Sequence, residues 1–323
     1  MLKRIFVAVL PLLAMGLQGE KSLAGDLYGD TLPPAPALRG EAPDPSMGNF
    51  GNTHAGIDAY LASDGSFVPM INVGAKYAYE GGVGAFGFQV DSEIDYAHSL
   101  LASSDLGGAT VGVTAFDFAA HATFMPSNDS KIGAFIGAAG LNSSGLVPAS
   151  NTSTYLGYSN ISNFKVTTAV FGAGIEGLYN YSDSVVFQTR MAVLGPSIFS
   201  ASGQTATGAV NNTAFILNNP IGLSVMAGAS KRFSNNISAR VDANYLTWPA
   251  LSQSNLQASV TGQYNLDEEP IALGATVGYD LANVSGLPTG AAFAKMRATY
   301  SFGGPSFGAS GKLFRSGILG LLN

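Results

Sequence analysis

Strict alternation between apolar and polar side chains runs through the stretch Ile237-Ser238-Ala239-Arg240-Val241-Asp242-Ala243-Asn244-Tyr245. The apolar residues fall on one parity, and serine, arginine, aspartate and asparagine fall on the other. Successive side chains of a β-strand point to opposite faces of the sheet, so the stretch predicts a strand with one apolar and one polar face.

The same period of two recurs along the chain. It predicts twelve strands, near 54–62, 69–80, 83–98, 109–124, 132–141, 166–179, 185–194, 219–232, 237–246, 256–264, 271–280 and 291–302. Small and apolar residues of 109–114 are out of phase with those of 116–124, which predicts a bulge between them. The segment 219–232 is so rich in small residues that its register is weakly specified.

Composition decides what these strands face. The chain has 323 residues, is 46% hydrophobic and only 11% charged, has a mean hydropathy of +0.23, and contains no cysteine. Soluble domains carry about 25% charged residues, yet no segment after the N-terminus approaches the 18 or so apolar residues of a membrane helix. Together these features predict a transmembrane antiparallel β-barrel of about twelve strands.

Connection lengths and charge placement support the barrel. Predicted connections alternate between short (81–82, 125–131, 180–184, 233–236, 265–270) and longer (99–108, 142–165, 195–218, 247–255, 281–290), with 63–66 as the exception. A barrel with both termini in the periplasm has short periplasmic turns and longer extracellular loops. Twelve charged residues of the strands fall opposite the apolar parity, as expected where a lipid-facing lysine or arginine costs roughly 2–4 kcal/mol: Asp58, Lys76, Asp91, Glu93, Asp95, Asp117, Glu176, Arg190, Arg240, Asp242, Lys295 and Arg297. A soluble β-sandwich would show the same alternation, but the low charge and the N-terminus disfavour it.

The chain divides into four predicted regions. Residues 1–24 have the basic start, apolar centre and Ser22-Leu23-Ala24 ending of a secretory signal peptide. A Pro-rich periplasmic linker follows over 25–52, then the barrel over 53–302, and a C-terminal tail over 303–323. Removing the signal peptide takes away three basic residues and one acidic residue, which changes the formal net charge from −6 to −8. This sign, and the lack of a basic cluster, disfavour nucleic-acid binding.

The signal peptide, the alternating strands and a last strand closing on Ala298-Thr299-Tyr300-Ser301-Phe302 resemble Gram-negative outer-membrane β-barrels. The Pro-rich linker is similar to that of porin-like and surface-antigen barrels of alphaproteobacterial type. The resemblance implies an outer-membrane location, contact with outer-membrane lipid, and recognition of Tyr300 and Phe302 by the barrel-insertion machinery. It covers about 53–302. The tail departs from the pattern, because such barrels commonly end at the aromatic residue. Its apolar residues leave three placements open, on the inner leaflet, in the lumen or as a further strand, and we expect the tail to lie at the membrane interface.

A barrel of twelve strands is intermediate in diameter between eight-strand barrels, which side chains fill, and the open porins, which have about 16–18 strands. We expect the polar parity to line its lumen, at Lys76, Gln89, Asp91, Glu93, Asp95, Asp117, His121, Glu176, Gln188, Arg190, Arg240, Asp242, Asn244, Lys295 and Arg297. Acids dominate the earlier strands and bases the later ones, which predicts a transverse field across a porin-like channel for passive diffusion of small hydrophilic solutes. The alternative is a structural or surface-interaction protein, its lumen closed by paired charges.

No catalytic, metal or cofactor site is predicted. His54 and His121 are expected to face the lumen singly, and His98 and Ser99, being adjacent on a strand, point to opposite faces. The acids Asp91, Glu93 and Asp95 lie about 6.6–7 Å apart along one face, which predicts a weak cation-attracting strip rather than a calcium site. The sequence therefore favours a protein that is not an enzyme.

Overall fold

The computed structural model describes residues 48–62, 67–83, 85–99, 110–127, 129–146, 161–182, 184–205, 208–216, 221–234, 236–266, 271–284, 287–303 and Ile318. The predicted signal peptide, most of the linker and most of the tail lie outside these residues. Within them, no helix has the length and apolar character needed to cross a membrane.

Thirteen antiparallel strands make up the described chain. They are β1 Gly48–Ala62, β2 Phe67–Val83, β3 Phe86–Ser99, β4 Thr110–Ser127, β5 Ser130–Leu146, β6 Ile161–Ser182, β7 Val185–Thr205, β8 Gly208–Ile216, β9 Gly222–Arg232, β10 Ile237–Trp248, β11 Gln253–Asn265, β12 Ile271–Val284 and β13 Leu287–Gly303, with one 3₁₀ turn at Pro249–Leu251. Each strand except β8 pairs with two neighbours or more. Pairing of β1 with β13, of β7 with β9 and of β6 with β7 closes twelve strands into a barrel.

The predicted barrel of about twelve strands is thus confirmed, and each of the twelve predicted strands is present. The two chain ends of the barrel, Gly48 and Gly303, lie at the same mouth, here called the turn end, where the connections have two to five residues. The opposite mouth, here called the loop end, includes the longest connections, 100–109 and 147–160.

The strands extend further at the loop end than the sequence predicts. Parts of the expected loops 142–165, 195–218, 247–255 and 281–290 are strand, and β8, which pairs only with β7, was missed. These segments are rich in Ser, Thr, Asn and Gly. Beyond the membrane both faces of a hairpin can meet water, so backbone pairing continues there without the period-two pattern on which the prediction depends.

The predicted bulge in β4 is wrong. Its ladders with β3 and β5 run without a shift up to Phe124, and the first irregularity lies between Phe124 and Ser127. Val113 and Ala115 are buried on the same face as Asp117, so apolar residues point inward at this level. Strand β9, despite its small side chains, is also paired without a shift on both sides.

The outward face of the barrel is apolar. Its exposed side chains include Ile57, Phe118, Ile175, Val241 and Met296. Among the described strands, the charged residues on the outward face are Lys165 and Lys231, and both lie close to a strand end. This distribution fits a lipid belt bounded by water on either side.

Aromatic side chains gather toward the two ends of the strands. At the turn end the rings of Phe86 and Phe124 lie 4.9 Å apart, and those of Tyr79 and Phe88 lie 5.6 Å apart. Toward the loop end, Tyr96, Tyr245 and Tyr279 are exposed. Amphipathic rings at both levels are typical of the interfacial girdles of membrane barrels.

A pair of arginine substitutions on β10 tests the lipid belt. Val241 is 55% exposed at mid-strand, whereas Ile237 is 48% exposed at the turn end of the same strand. We expect Val241→Arg to lower the free energy of unfolding in lipid vesicles by about 2–4 kcal/mol and Ile237→Arg to lower it by about 0–1 kcal/mol. Urea titration of vesicle-embedded protein measures both values. Equal costs at the two positions would contradict the assignment of the outer surface.

Candidate functional site: the barrel interior

The structure places all fifteen predicted lumen residues on the inward face of the wall. Fourteen are buried and Asp242 is half-buried. Because inward positions alternate with outward ones along each strand, the backbone ladders fix these orientations. Whether this interior conducts depends on how the inward side chains contact one another.

Charged groups of the interior pair locally. The Lys76 ammonium on β2 lies 3.2 Å from the Glu93 carboxylate on β3. Arg297 on β13 lies 3.8 Å from Asp58 on the adjacent β1. The Arg240 guanidinium donates to Asp242, two residues along the same strand, at 2.7 Å. In these three pairs opposite charges meet along the wall rather than across the lumen, and the transverse field stays a prediction.

One larger network joins four strands. The two ring nitrogens of His121 on β4 lie 2.6 Å from the Asp91 carboxylate on β3 and 2.5 Å from the Glu176 carboxylate on β6. Glu176 also contacts Arg190 on β7, with Nε 3.2 Å from its second oxygen. All four side chains are almost wholly buried.

A polar and an aromatic neighbour complete the contacts of this network. Gln89 donates to Asp91 at 3.0 Å, and the Arg190 guanidinium stacks over the Phe135 ring at 4.4 Å. The imidazole can donate a hydrogen bond from each ring nitrogen that carries a proton, and ionised carboxylates accept such bonds. The arrangement holds buried charge in mutual compensation, which is the condition under which charge is tolerated in an interior.

Two expectations about single residues are also wrong. Neither histidine stands alone: His121 joins two carboxylates, and His54 lies 3.3 Å from Asp95. The acids Asp91, Glu93 and Asp95 do not form a free cation-attracting strip, because each faces a different basic side chain. Sequence spacing could not show this, since the partners lie on other strands. In the part of the chain that the structure describes, no group of acids or histidines is arranged to hold a metal ion.

Apolar residues on the inward parity form two clusters that the sequence did not reveal. The larger, here called the β4–β7 cluster, contains Ala115, Phe135, Ala139, Leu141, Val170, Ala192, Leu194, Met226, Leu246 and Ile318, with Trp248 packed against it. The smaller contains Tyr60, Met70, Ala97, Val113 and Phe293. The signal was present as apolar residues sharing a parity with charges, for example Leu194 with Arg190 on β7.

Ile318 comes from the C-terminal tail, and its side chain is fully buried inside the barrel. Its backbone N–H donates to the Asp117 carboxylate of β4 at 3.0 Å. The expectation of a tail at the membrane interface is therefore wrong at this residue. The cause is the inward apolar surface of β4–β7, which offers a fully enclosed site for an aliphatic side chain.

Strand β11 carries a different surface. Its inward positions are uncharged and polar over its whole length, namely Gln253, Asn255, Gln257, Ser259, Thr261 and Gln263. They bond to β12: the hydroxyls of Thr261 and Thr276 lie 2.9 Å apart, and the Asn255 amide donates to Asp280 at 3.3 Å. We call this run of residues the β11 polar stripe.

The His98–Ser99 pair does not form a nucleophile and base. The His98 Nδ1 lies 2.8 Å from the backbone carbonyl oxygen of Ser99, and Ser99 itself is buried on the inward face. A serine nucleophile needs its hydroxyl within reach of the imidazole. The contact that the ring makes is with the main chain instead.

Comparison with known proteins identifies the fold. No family model matches, and no curated protein matches. Among solved structures, an outer-membrane channel from Pseudomonas putida F1 is similar with a TM-score of 0.52 at 10% identity, over 82% of this chain and 100% of that one. The translocator domain of autotransporter NalP from Neisseria meningitidis gives 0.48 at 9% identity, over 92% and 97%. The CymD monoaromatic hydrocarbon channel gives 0.47 at 11% identity, over 79% and 88%.

The fold is that of bacterial outer-membrane β-barrels, as the resemblance in sequence implied. A barrel that spans a membrane needs both an apolar outward face and a closed ring of strands, and this chain has both. The chain is accordingly an outer-membrane protein.

Removing one member of the four-residue network tests its role in the interior. We expect Glu176→Gln to lower the free energy of unfolding by about 3–5 kcal/mol, because it leaves Arg190 buried without its carboxylate. Asp242→Asn is the matched control: Asp242 contacts Arg240, but the two side chains are 13% and 10% exposed, so water reaches both groups. Equilibrium unfolding of both variants in the same vesicles gives the comparison. An equal or larger loss for Asp242→Asn would contradict the assignment.

Proposed function

We propose that the protein is an outer-membrane channel for passive diffusion of small hydrophilic solutes, with the β11 polar stripe as one wall of its path. The observation that supports this most is the continuity of the stripe. The inward positions of β11, from one end of the strand to the other, are amides and hydroxyls. Such groups can exchange hydrogen bonds with a solute that has left part of its hydration shell.

The local pairing of charges bears on which solutes pass. Several basic side chains contact an acid within a few ångströms, as at Lys76–Glu93 and Arg240–Asp242. The amides and hydroxyls of the β11 polar stripe are neutral and bind polar solutes without selecting for charge. The proposal is therefore for small hydrophilic solutes, with uncharged polar solutes in the first place.

A second candidate is a structural or surface-interaction protein with a closed lumen. The burial of the inward side chains and the presence of Ile318 among them favour it. The two candidates differ in a single measurable property, which is the flow of ions or solutes through the reconstituted barrel.

Current recordings in planar bilayers separate them. If the barrel is a channel, we expect resolved current steps. Currents are recorded for the native chain and also for Ile318→Asp, because Ile318 occupies part of the barrel interior. Thr261→Trp, which adds bulk to the β11 polar stripe, is expected to reduce the step amplitude severalfold. Val260→Trp adds the same kind of bulk to the outward face of that strand, where Val260 is exposed, and should leave the amplitude unchanged. An absence of steps from both the native chain and Ile318→Asp would contradict the proposal and favour the closed barrel.

A further inference from the structure

We propose that the inner wall where β7, β9 and β10 lie side by side binds a small uncharged solute with several hydroxyl groups, of the chemical class of a short-chain polyol. The site consists of Gln188, Gly228, Ser230, Arg240 and Asp242, and we call it the Gly228 site. The proposal names a solute class for the proposed channel and rests on that function, because a solute reaches this wall through the lumen.

Strand pairing brings the five residues together. Gln188 on β7 is directly opposite Gly228 on β9, and Gly228 is directly opposite Asp242 on β10. Ser230 and Arg240 form the next inward pair of β9 and β10, toward the turn end. Because directly opposite residues of antiparallel strands lie about 4.5–5.5 Å apart, the Gly228 site is one continuous patch of the inner wall.

The missing side chain at Gly228 makes room for the Arg240–Asp242 ion pair. A Cβ added to Gly228 would collide with the Asp242 carboxylate and would lie 2.9 Å from Nη2 of Arg240. The ion pair therefore extends from β10 over β9. This placement brings Nη2 of Arg240 to the strand that lies beside Gln188.

Two donors of the site have no hydrogen-bond partner within the described part of the chain. They are Nε2 of Gln188 and Nη2 of Arg240. Gln188 is 6% exposed and Arg240 is 9% exposed. A buried donor without an acceptor is unfavourable, so an oxygen atom of a bound solute that accepts from these groups would stabilise the complex.

The charges of the site select against charged solutes. The Asp242 carboxylate repels an anion, and the Arg240 guanidinium repels a cation. A hydroxyl group suits both, because its oxygen accepts from Arg240 or Gln188 while its hydrogen is donated to Asp242. The hydroxyl of Ser230 can donate to or accept from a second hydroxyl of the same solute. These groups together favour a neutral polyol over a carboxylate or an amine.

The Gly228 site remains accessible inside the barrel. The side chains of Arg240 and Asp242 are 10% and 13% exposed, whereas those of Lys76 and Glu93 are 2% and 1% exposed. Asp242 is also directly opposite Ser259, which belongs to the β11 polar stripe. A solute that moves along the stripe therefore passes beside the site.

Saturation-transfer NMR tests the site on the full chain, refolded in a detergent without sugar groups, with the four-carbon polyol erythritol as the probe. Succinate and 1,4-diaminobutane are matched probes, because each also has four carbon atoms but carries negative or positive charge. We expect transfer to erythritol to exceed transfer to either charged probe about fivefold at equal concentration, since each charged probe meets a like charge in the Gly228 site.

Two substitutions remove the site in different ways. Gly228→Leu fills the space that the ion pair occupies, and Gln188→Leu removes one donor while keeping a side chain of similar size. We expect each to lower transfer to erythritol about fivefold, because hydrogen bonds to the solute are lost. Gln188→Leu decides the test if Gly228→Leu does not fold.

Two control variants carry the same new side chain on the outward face. Gly262→Leu lies on β11, where an added Cβ has no atom within 4 Å. Thr189→Leu lies beside Gln188 on β7, where Thr189 is exposed. Both should leave transfer to erythritol unchanged, and far-UV circular dichroism checks that each variant is folded.

The outcomes separate the site from the channel. Equal transfer to erythritol in the native chain and in Gln188→Leu would overturn the site. Transfer to a charged probe as strong as transfer to erythritol would overturn the solute class. Erythritol binding that depends on Gln188, without current steps from the reconstituted barrel, would support the site and contradict the channel function. Current steps without erythritol binding would support the channel function and overturn the site.

Discussion

Hydrocarbon offers no partner to a backbone N–H or C=O, and this one constraint determines most of the structure. A sheet can satisfy it only by closing on itself, since an open edge would leave a row of unpaired groups in lipid. The barrel meets the condition where β13 returns to β1, which is distant in sequence, and where β9 pairs with β7 past the intervening β8. Closure then gives every strand an outward face in lipid and an inward face shielded from it, which is why the sequence alternates with a period of two.

The inward face has its own constraint, because charge removed from water must be compensated nearby. Neighbouring strands supply the compensation, as where Glu176 contacts both His121 and Arg190. The same interior contains the β4–β7 cluster, which extends to Met226 of β9 and Leu246 of β10, and the β11 polar stripe. The interior is therefore divided into sectors of different chemistry, one suited to holding an aliphatic side chain and another suited to polar solutes. The proposal for the channel depends on the second of these sectors.

Sequence predicted the parts of the fold that depend on a single strand. The alternation in 237–245 located β10 and oriented its charges, and the same pattern located the other eleven strands of the barrel. The alternating pattern failed where a strand does not have lipid on one face and polar groups on the other. Val113 points inward to an apolar cluster, which suggested a bulge, and β8 lacks an alternating pattern. The partners of His121 and the insertion of Ile318 depend on contacts between distant strands, which no local pattern contains.

The central claim is that successive residues of each strand face lipid and interior in turn, and a cysteine scan along β11 tests it most directly. The absence of native cysteines makes each single substitution from Gln253 to Asn265 separately readable with an attached fluorophore. Lipids brominated in their acyl chains should quench labels at Leu256, Ala258, Val260, Gly262 and Tyr264 strongly, and labels at the intervening positions weakly. A quenching profile without a period of two, or one with the two parities exchanged, would contradict the account.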